Sequence, residues 1–142
     1  MSVFGLFGKE TSILDILVVD DDEDVRTVMC DIIASVGLSV AEAVDGRAGF
    51  QMAKERKPKM ILLDMEMPVF SGLAALEGLK ADAATKDIPV VMVTGQQTPA
   101  HVDQAVRRGA AGYLPKPVDM KRLLRKVAEF MPLPKPPPGF KI

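Results

Sequence analysis

Apolar residues along this chain fall into two alternating textures. The first is short continuous runs that end abruptly at polar residues: Ile13–Val19, interrupted only by Asp15, a weaker Leu38–Ala43, Met60–Leu63, Ile88–Val93 and Ala111–Leu114. Runs of this kind read as strands buried on both faces. The second texture has helical spacing. Val25, Val28, Met29, Ile32, Ile33 and Val36 share one face, and Gly37 follows as a stop. Asp45 is placed to cap a helix through about Lys57, which Pro58 terminates. Ser71 caps a helix over Gly72–Asp82, and Thr98-Pro99 opens one that runs to about Arg108. A last helix carries Met120, Leu123, Leu124 and Val127 on one face and ends near Phe130.

Five strands and five helices in strict alternation, with short connections, predict an α/β fold: a doubly wound, five-stranded parallel sheet with helices on both faces. One domain of residues 13–131 accounts for the pattern, flanked by residues 1–12 and 132–142. The proline-dense Pro132–Pro138 predicts an extended, solubilising tail rather than packed structure, although Pro134-Lys135-Pro136-Pro137 also fits a minimal P-x-x-P pattern. At the other end Val3, Phe4, Leu6 and Phe7 offer an apolar arm that could dock on the core or on a partner.

Composition narrows the chemistry. The 142 residues carry 18 Lys+Arg and 19 Asp+Glu, so nothing advertises a nucleic-acid partner. One cysteine, Cys30, and one histidine, His101, exclude a disulfide framework and the usual zinc sites. Any metal must therefore sit on oxygen ligands. No apolar run approaches the roughly 20 residues of a membrane span, and Met1–Gly8 lacks the form of a secretory leader. The expectation is a cytoplasmic protein without membrane insertion.

The chemically capable residues sit just after the strands. Asp20 and Asp21 follow the first, Asp64 the third, Thr94 the fourth and Lys116 the fifth. In an open parallel sheet the strand C-termini share one edge, and such folds bind ligands there. An acid after a strand is often only a helix cap, but capping needs one acid and Asp20-Asp21-Asp22 supplies three. Carboxylates packed together without a cation raise one another's pKa. Mg2+ prefers oxygen ligands and takes one or two carboxylates alongside phosphate oxygens. A carboxylate is also a nucleophile that can form an acyl phosphate. Lys116 supplies a mobile point charge and Thr94 a hydroxyl donor, which suits phosphoryl transfer. No G-x-x-x-x-G-K-[ST] or G-x-G-x-x-G follows a strand, so the expected donor is a protein or a small acyl phosphate rather than a bound nucleotide.

Four segments, ILVVDDDEDVR (Ile16–Arg26), ILLDMEMPVFSG (Ile61–Gly72), VVMVTG (Val90–Gly95) and GYLPKP (Gly112–Pro117), give the chain a resemblance to response-regulator receiver domains of two-component signalling. It covers about Ile13–Phe130. The resemblance implies a flavodoxin-like sheet of strand order 2-1-3-4-5. It implies that Asp64 is the phosphoacceptor, that Asp20, Asp21, Asp64 and the Glu66 backbone carbonyl hold Mg2+, and that Lys116 contacts the phosphate. Thr94 and Tyr113 match the switch pair, and the Lys116–Pro117 bond matches one that is typically cis. It further implies a histidine kinase or histidine phosphotransfer protein as donor, output by protein contact, and no turnover enzyme activity. Glu66, Ser71 and Val118 depart from the commonest pattern. Glu66 and Gln96 occupy positions resembling those that tune phosphate lifetime.

Rival readings are a phosphoryl sink or relay, and a haloacid-dehalogenase-type phosphatase with its nucleophile in the Asp20-Asp21-Asp22 run. A Ca2+ loop on Asp20, Asp22 and Asp24 is disfavoured by Val25 and Asp31 at its sixth and twelfth positions. A flavin-type cofactor binder on the same sheet lacks an aromatic pair for the ring.

Overall fold

The computed structural model describes residues 13–96 and 98–141. Its elements are β1 (Ile16–Val19), α1 (Glu23–Ser35), β2 (Val40–Ala43), α2 (Gly46–Arg56), β3 (Met60–Asp64), α3 (Gly72–Ala81), β4 (Val90–Thr94), α4 (Pro99–Arg107), β5 (Gly112–Pro115) and α5 (Met120–Ala128). All strand pairs are parallel and the order is β2-β1-β3-β4-β5, as the resemblance implied. Except for β3, the strands start later than the apolar runs. Ile13 and Ile88 precede the ladder, whereas β3, β4 and β5 each extend one residue further, to Asp64, Thr94 and Pro115.

The two-residue period of the strands sorts the core into two layers. Leu17, Val19, Ile61, Leu63, Val90 and Met92 face the layer that holds Ala53 of α2, Ala75, Leu76 and Leu79 of α3, and Ala105 of α4. Ile16, Val18, Met60, Leu62, Val91 and Val93 face Met29 and Ile33 of α1 and Leu123, Leu124 and Val127 of α5. Each side chain removed from water in this way contributes about 1.5–3 kcal/mol. The three central strands are buried on both faces, which is why their sequences read as unbroken apolar runs.

Helix starts follow the expected capping chemistry. Asp45 accepts from Ala48 N, Ser71 from Ala74 N and Thr98 from His101 N. Asp22 caps α1 and Asp119, not anticipated, caps α5.

The C-terminal segment corrects the sequence reading. Residues after α5 do not trail as a detached tail. Met131 is buried, and Leu133 and Phe140 pack against the α1/α5 layer. Lys135 N donates to Val36 O at 2.9 Å. Gly37, at φ +89, lacks the Cβ that would come within 3.1 Å of Pro134, so the chain returns close over the end of α1. The prolines dominate the composition of the segment, but the apolar residues spaced among them anchor it. The apolar arm at Val3–Phe7 lies outside the described residues.

Candidate functional site

The β1, β3, β4 and β5 ends converge as the parallel register requires. Asp64 pairs in register with Val93, and Thr94 with Pro115. Asp20 and Asp64 are buried, Asp21 is exposed at the rim, and one oxygen from each of the three lies within 4.8 Å of the others. Lys116 reaches in from the end of β5. Its Nζ donates to Asp64 Oδ1 at 2.9 Å and stands 3.4 Å from Asp20 Oδ2. The Lys116–Pro117 bond is cis.

Local structure fixes each acid differently. Asp22 spends its carboxylate on Asp24 N and Val25 N at the start of α1, which removes it from the cluster and with it the Ca2+-loop geometry. Asp20 Oδ1 accepts from Asp22 N at 2.9 Å, while Oδ2 is buried with no hydrogen-bond partner among the described residues. Asp64 Oδ1 accepts from Glu66 N at 3.1 Å as well as from Lys116. Behind the cluster, Arg26 Nη1 donates to the Asp20 carbonyl at 2.9 Å and Nε to Glu42 Oε1 at 2.8 Å, tying the β1–α1 turn to β2. Gly72 is required at its place, since a Cβ there would stand 2.1 Å from the Asp64 carbonyl oxygen.

Electrostatics mark the same atoms. Burial pushes the Asp20 carboxyl up to about 6; the Asp22 N–H and Lys116 oppose the shift and the Asp64 charge adds to it. Burial alone would lower Lys116, but its hydrogen bond to Asp64 and the charges of Asp20 and Asp64 outweigh it, and its pKa is raised. One ammonium thus serves two buried carboxylates, with a third at the rim. The excess negative charge, the all-oxygen donors and the orphaned Asp20 Oδ2 fit a hard divalent cation such as Mg2+.

Thr94 is buried at the end of β4. Its hydroxyl donates to Glu66 Oε2 and accepts from Gln96 N at 2.9 Å, and Gly95 N donates to Glu66 Oε1 at 3.2 Å. The resemblance marks Glu66 as a position that tunes phosphate lifetime, but the contact of its side chain with Thr94 and Gly95 was not foreseen. Tyr113 is half-buried against the layer of α2, α3 and α4. Beside Lys116 lies a shallow, mainly apolar cavity of about 270 Å³, lined by Asp24, Val25, Val28, Lys116, Pro117 and Val118. Cys30 is half-buried and its thiol is pushed up to about 11, chiefly by burial, so it is not a reactive thiolate. No helix among the described residues is long and apolar enough to cross a membrane.

Comparison with known proteins agrees with this fold. The chain is 35% identical over 112 residues to Protein PilH of Pseudomonas aeruginosa, covering 79% of this chain and 93% of PilH. It is 34% identical over 116 residues to the phosphate regulon transcriptional regulatory protein PhoB of Klebsiella pneumoniae, covering 82% of this chain and 51% of PhoB. The chain thus spans only about half the length of PhoB. The chemotaxis protein CheY4 of Vibrio cholerae superposes with a TM-score of 0.80 at 26% identity, covering 84% of this chain and 100% of CheY4. The family model of the response regulator receiver domain matches residues 16–128, and the chain belongs to that family.

Proposed function

We propose that this protein is a phosphorylation-controlled switch that takes a phosphoryl group onto Asp64 in a Mg2+-dependent reaction. The observation that carries the reading is the buried pair Asp20 and Asp64 sharing the Lys116 ammonium, with Asp20 Oδ2 lacking a hydrogen-bond partner among the described residues. Asp20, Asp21, Asp64 and the Glu66 carbonyl would hold the metal. Bound there, Mg2+ supplies positive charge against the phosphoryl oxygens.

The chain's own residues perform the rest. Both described donors to the Asp64 carboxylate bind Oδ1, which leaves Oδ2 as the attacking atom. An Oδ2–P bond forms as the P–N bond of a phosphohistidine, or the P–O bond of an acyl phosphate, breaks; the histidine or the carboxylate leaves with the bonding electrons. Lys116 neutralises a phosphoryl oxygen, and its burial beside Asp64 holds it in place for that. The apolar cavity between α1 and the segment after β5 offers a phosphohistidine-bearing kinase or phosphotransfer protein a docking surface next to the acceptor. The protein is its own phosphotransferase and not a turnover enzyme. It works in the cytoplasm and signals by protein contact; nucleic acid is not its partner.

The switch follows from charge. The phosphoryl group brings about −1.5 to −2 units. A hydrogen bond to a charged group contributes about 1.5–3 kcal/mol, so Thr94 and Lys116 together approach the ~5.5 kcal/mol that inverts a 1:99 equilibrium. Tyr113 then turns inward, and the surface of α4, β5 and α5 changes. Borohydride trapping of the acyl phosphate and peptide mapping test the acceptor, with reduction expected at Asp64; reduction at Asp20 points to the phosphatase-type reading instead. Thr94→Val should retain labelling and lose the phosphorylation-dependent change in partner binding. Both remaining intact contradicts the coupling.

A further inference from the structure

The acceptor loop carries an acid whose side chain the phosphoryl mechanism does not use. Glu66 is exposed as a residue, yet its carboxylate turns back onto the end of β4. There Oε2 accepts the Thr94 hydroxyl and Oε1 accepts Gly95 N. These two donors come from adjacent residues and grip both oxygens of one anion, as a bound oxyanion would be gripped. A hydroxyl has one proton to donate, and of the two acceptors in reach of Thr94 the Glu66 carboxylate is the nearer, the Gln96 carbonyl standing at 3.3 Å. The same hydroxyl is the one that must reach a phosphoryl oxygen on Asp64.

We propose that the Glu66 carboxylate is a tethered stand-in for the phosphoryl oxygens, holding Thr94 and Gly95 in the unphosphorylated protein until a phosphoryl group displaces it. The proposal rests on the phosphoacceptor reading of Asp64 and deepens it. The chemistry is that of two anions competing for one set of donors. The carboxylate carries a unit charge and the phosphoryl group nearly two, so the incoming group wins the donors and expels Glu66 toward solvent. Until then the switch hydroxyl is occupied, and charging proceeds against an extra barrier. Glu66 is thus a positioning residue that sets the threshold for phosphorylation, acting through Thr94 rather than on the reacting atoms.

Shortening the side chain separates this from simple charge repulsion. Glu66→Asp keeps the charge but loses one methylene and with it the reach to both donors. Glu66→Ala removes charge and contact together. Each variant and the wild type would be titrated with beryllofluoride, formed from Be2+ and fluoride in the presence of Mg2+, and labelled with acetyl phosphate. The Gly95 amide would be followed by NMR in the unphosphorylated proteins. The expected result is tighter beryllofluoride binding and faster labelling in both variants, by about threefold to tenfold, the scale of one hydrogen bond. The unphosphorylated Gly95 amide should shift in both. The rate gain should shrink toward unity when either substitution is placed on Thr94→Val. Gains in Glu66→Ala alone, with Glu66→Asp like wild type, would reduce the effect to like-charge repulsion and overturn the proposal. So would an unmoved Gly95 amide. The amide readout can also be taken in Asp64→Asn, where no phosphoryl group is accepted. Absence of labelling in the wild type would therefore sink the acceptor reading while leaving the Glu66 contact separately testable.

Discussion

Strand β1 has an aspartate just beyond each end, and the two are opposites. Asp15, before the strand, accepts from Ser39 N at 2.8 Å and Ser39 Oγ at 3.1 Å, and pairs with Lys59 at 3.3 Å. Burial would raise its pKa, but those partners outweigh it and the pKa is lowered. Asp20, after the strand, has one hydrogen-bonded oxygen and one without a hydrogen-bond partner among the described residues, shares Lys116 with Asp64, and has its carboxyl pushed up to about 6 by burial. The first acid is finished by the protein itself and holds β1 to the start of β2. The second keeps one oxygen that no described residue hydrogen-bonds. In a parallel sheet this difference separates the structural edge from the working edge, and it is a matter of partners rather than residue type.

The comparison can be broken in several ways. The largest expected effect is on Mg2+ binding. Asp20→Asn should weaken Mg2+ by at least about tenfold to a hundredfold, whereas Asp15→Asn should leave it unchanged, both read by calorimetric titration. A loss of Mg2+ affinity in the Asp15 variant would mean that the two ends are not independent.

Stability of the metal-free protein should move the other way. Asp15→Asn should cost about 1 kcal/mol in urea unfolding, a modest figure because Lys59 is half in solvent. Asp20→Asn should be neutral or stabilising near pH 7, since it removes a buried charge that lacks a full set of partners.

The pH dependence carries the same contrast with opposite signs. Asp20 binds its proton more tightly folded than unfolded, so metal-free stability should fall as pH rises from about 4 to about 6. Saturating Mg2+ should abolish that limb by holding the carboxylate ionised. Asp15, with its folded pKa lowered, supplies stability present above its unfolded pKa and lost as pH falls through its folded value. Unfolding curves between pH 3 and pH 7 (the range of the ~3.9 unfolded value) with and without Mg2+ separate the two. A metal-free profile that only rises with pH would contradict the Asp20 assignment.

The smallest effect concerns the turn behind Asp20. Arg26→Lys keeps a charge but loses the fork that joins the Asp20 carbonyl to Glu42. Mg2+ affinity should drop by a few-fold, less than the roughly tenfold to hundredfold typical of groups that hold a ligand directly in place, with Asp15 pairing untouched.

Much of this architecture can be read from residue order. Buried parallel strands write themselves as apolar runs, and the residues that follow them share one edge of the sheet, so the placement of Asp20, Asp64, Thr94 and Lys116 together is legible from residue order. The resemblance supplied the strand order and singled out Tyr113. The hidden parts are those where a side chain turns away from its expected course. Arg26 looks like a surface residue of α1 but is buried under the Asp20 carbonyl. Glu66 is placed near the phosphate site by its position two residues after Asp64, but nothing in its position says that its side chain folds back to Thr94 and Gly95. Leu133 and Phe140 are masked by the prolines around them, although burial of two apolar side chains outweighs a local preference for extended chain. Such contacts depend on distances across the fold, which periodicity does not encode.

The central claim is that the unfinished edge takes Mg2+ and a phosphoryl group on Asp64. Intact mass after incubation with acetyl phosphate tests it most directly, for wild type with Mg2+, wild type with EDTA, and Asp64→Asn with Mg2+. The account predicts a gain of about 80 Da, one phosphoryl group, in the first sample alone. An unchanged mass in that sample, or the same gain in Asp64→Asn, would contradict it.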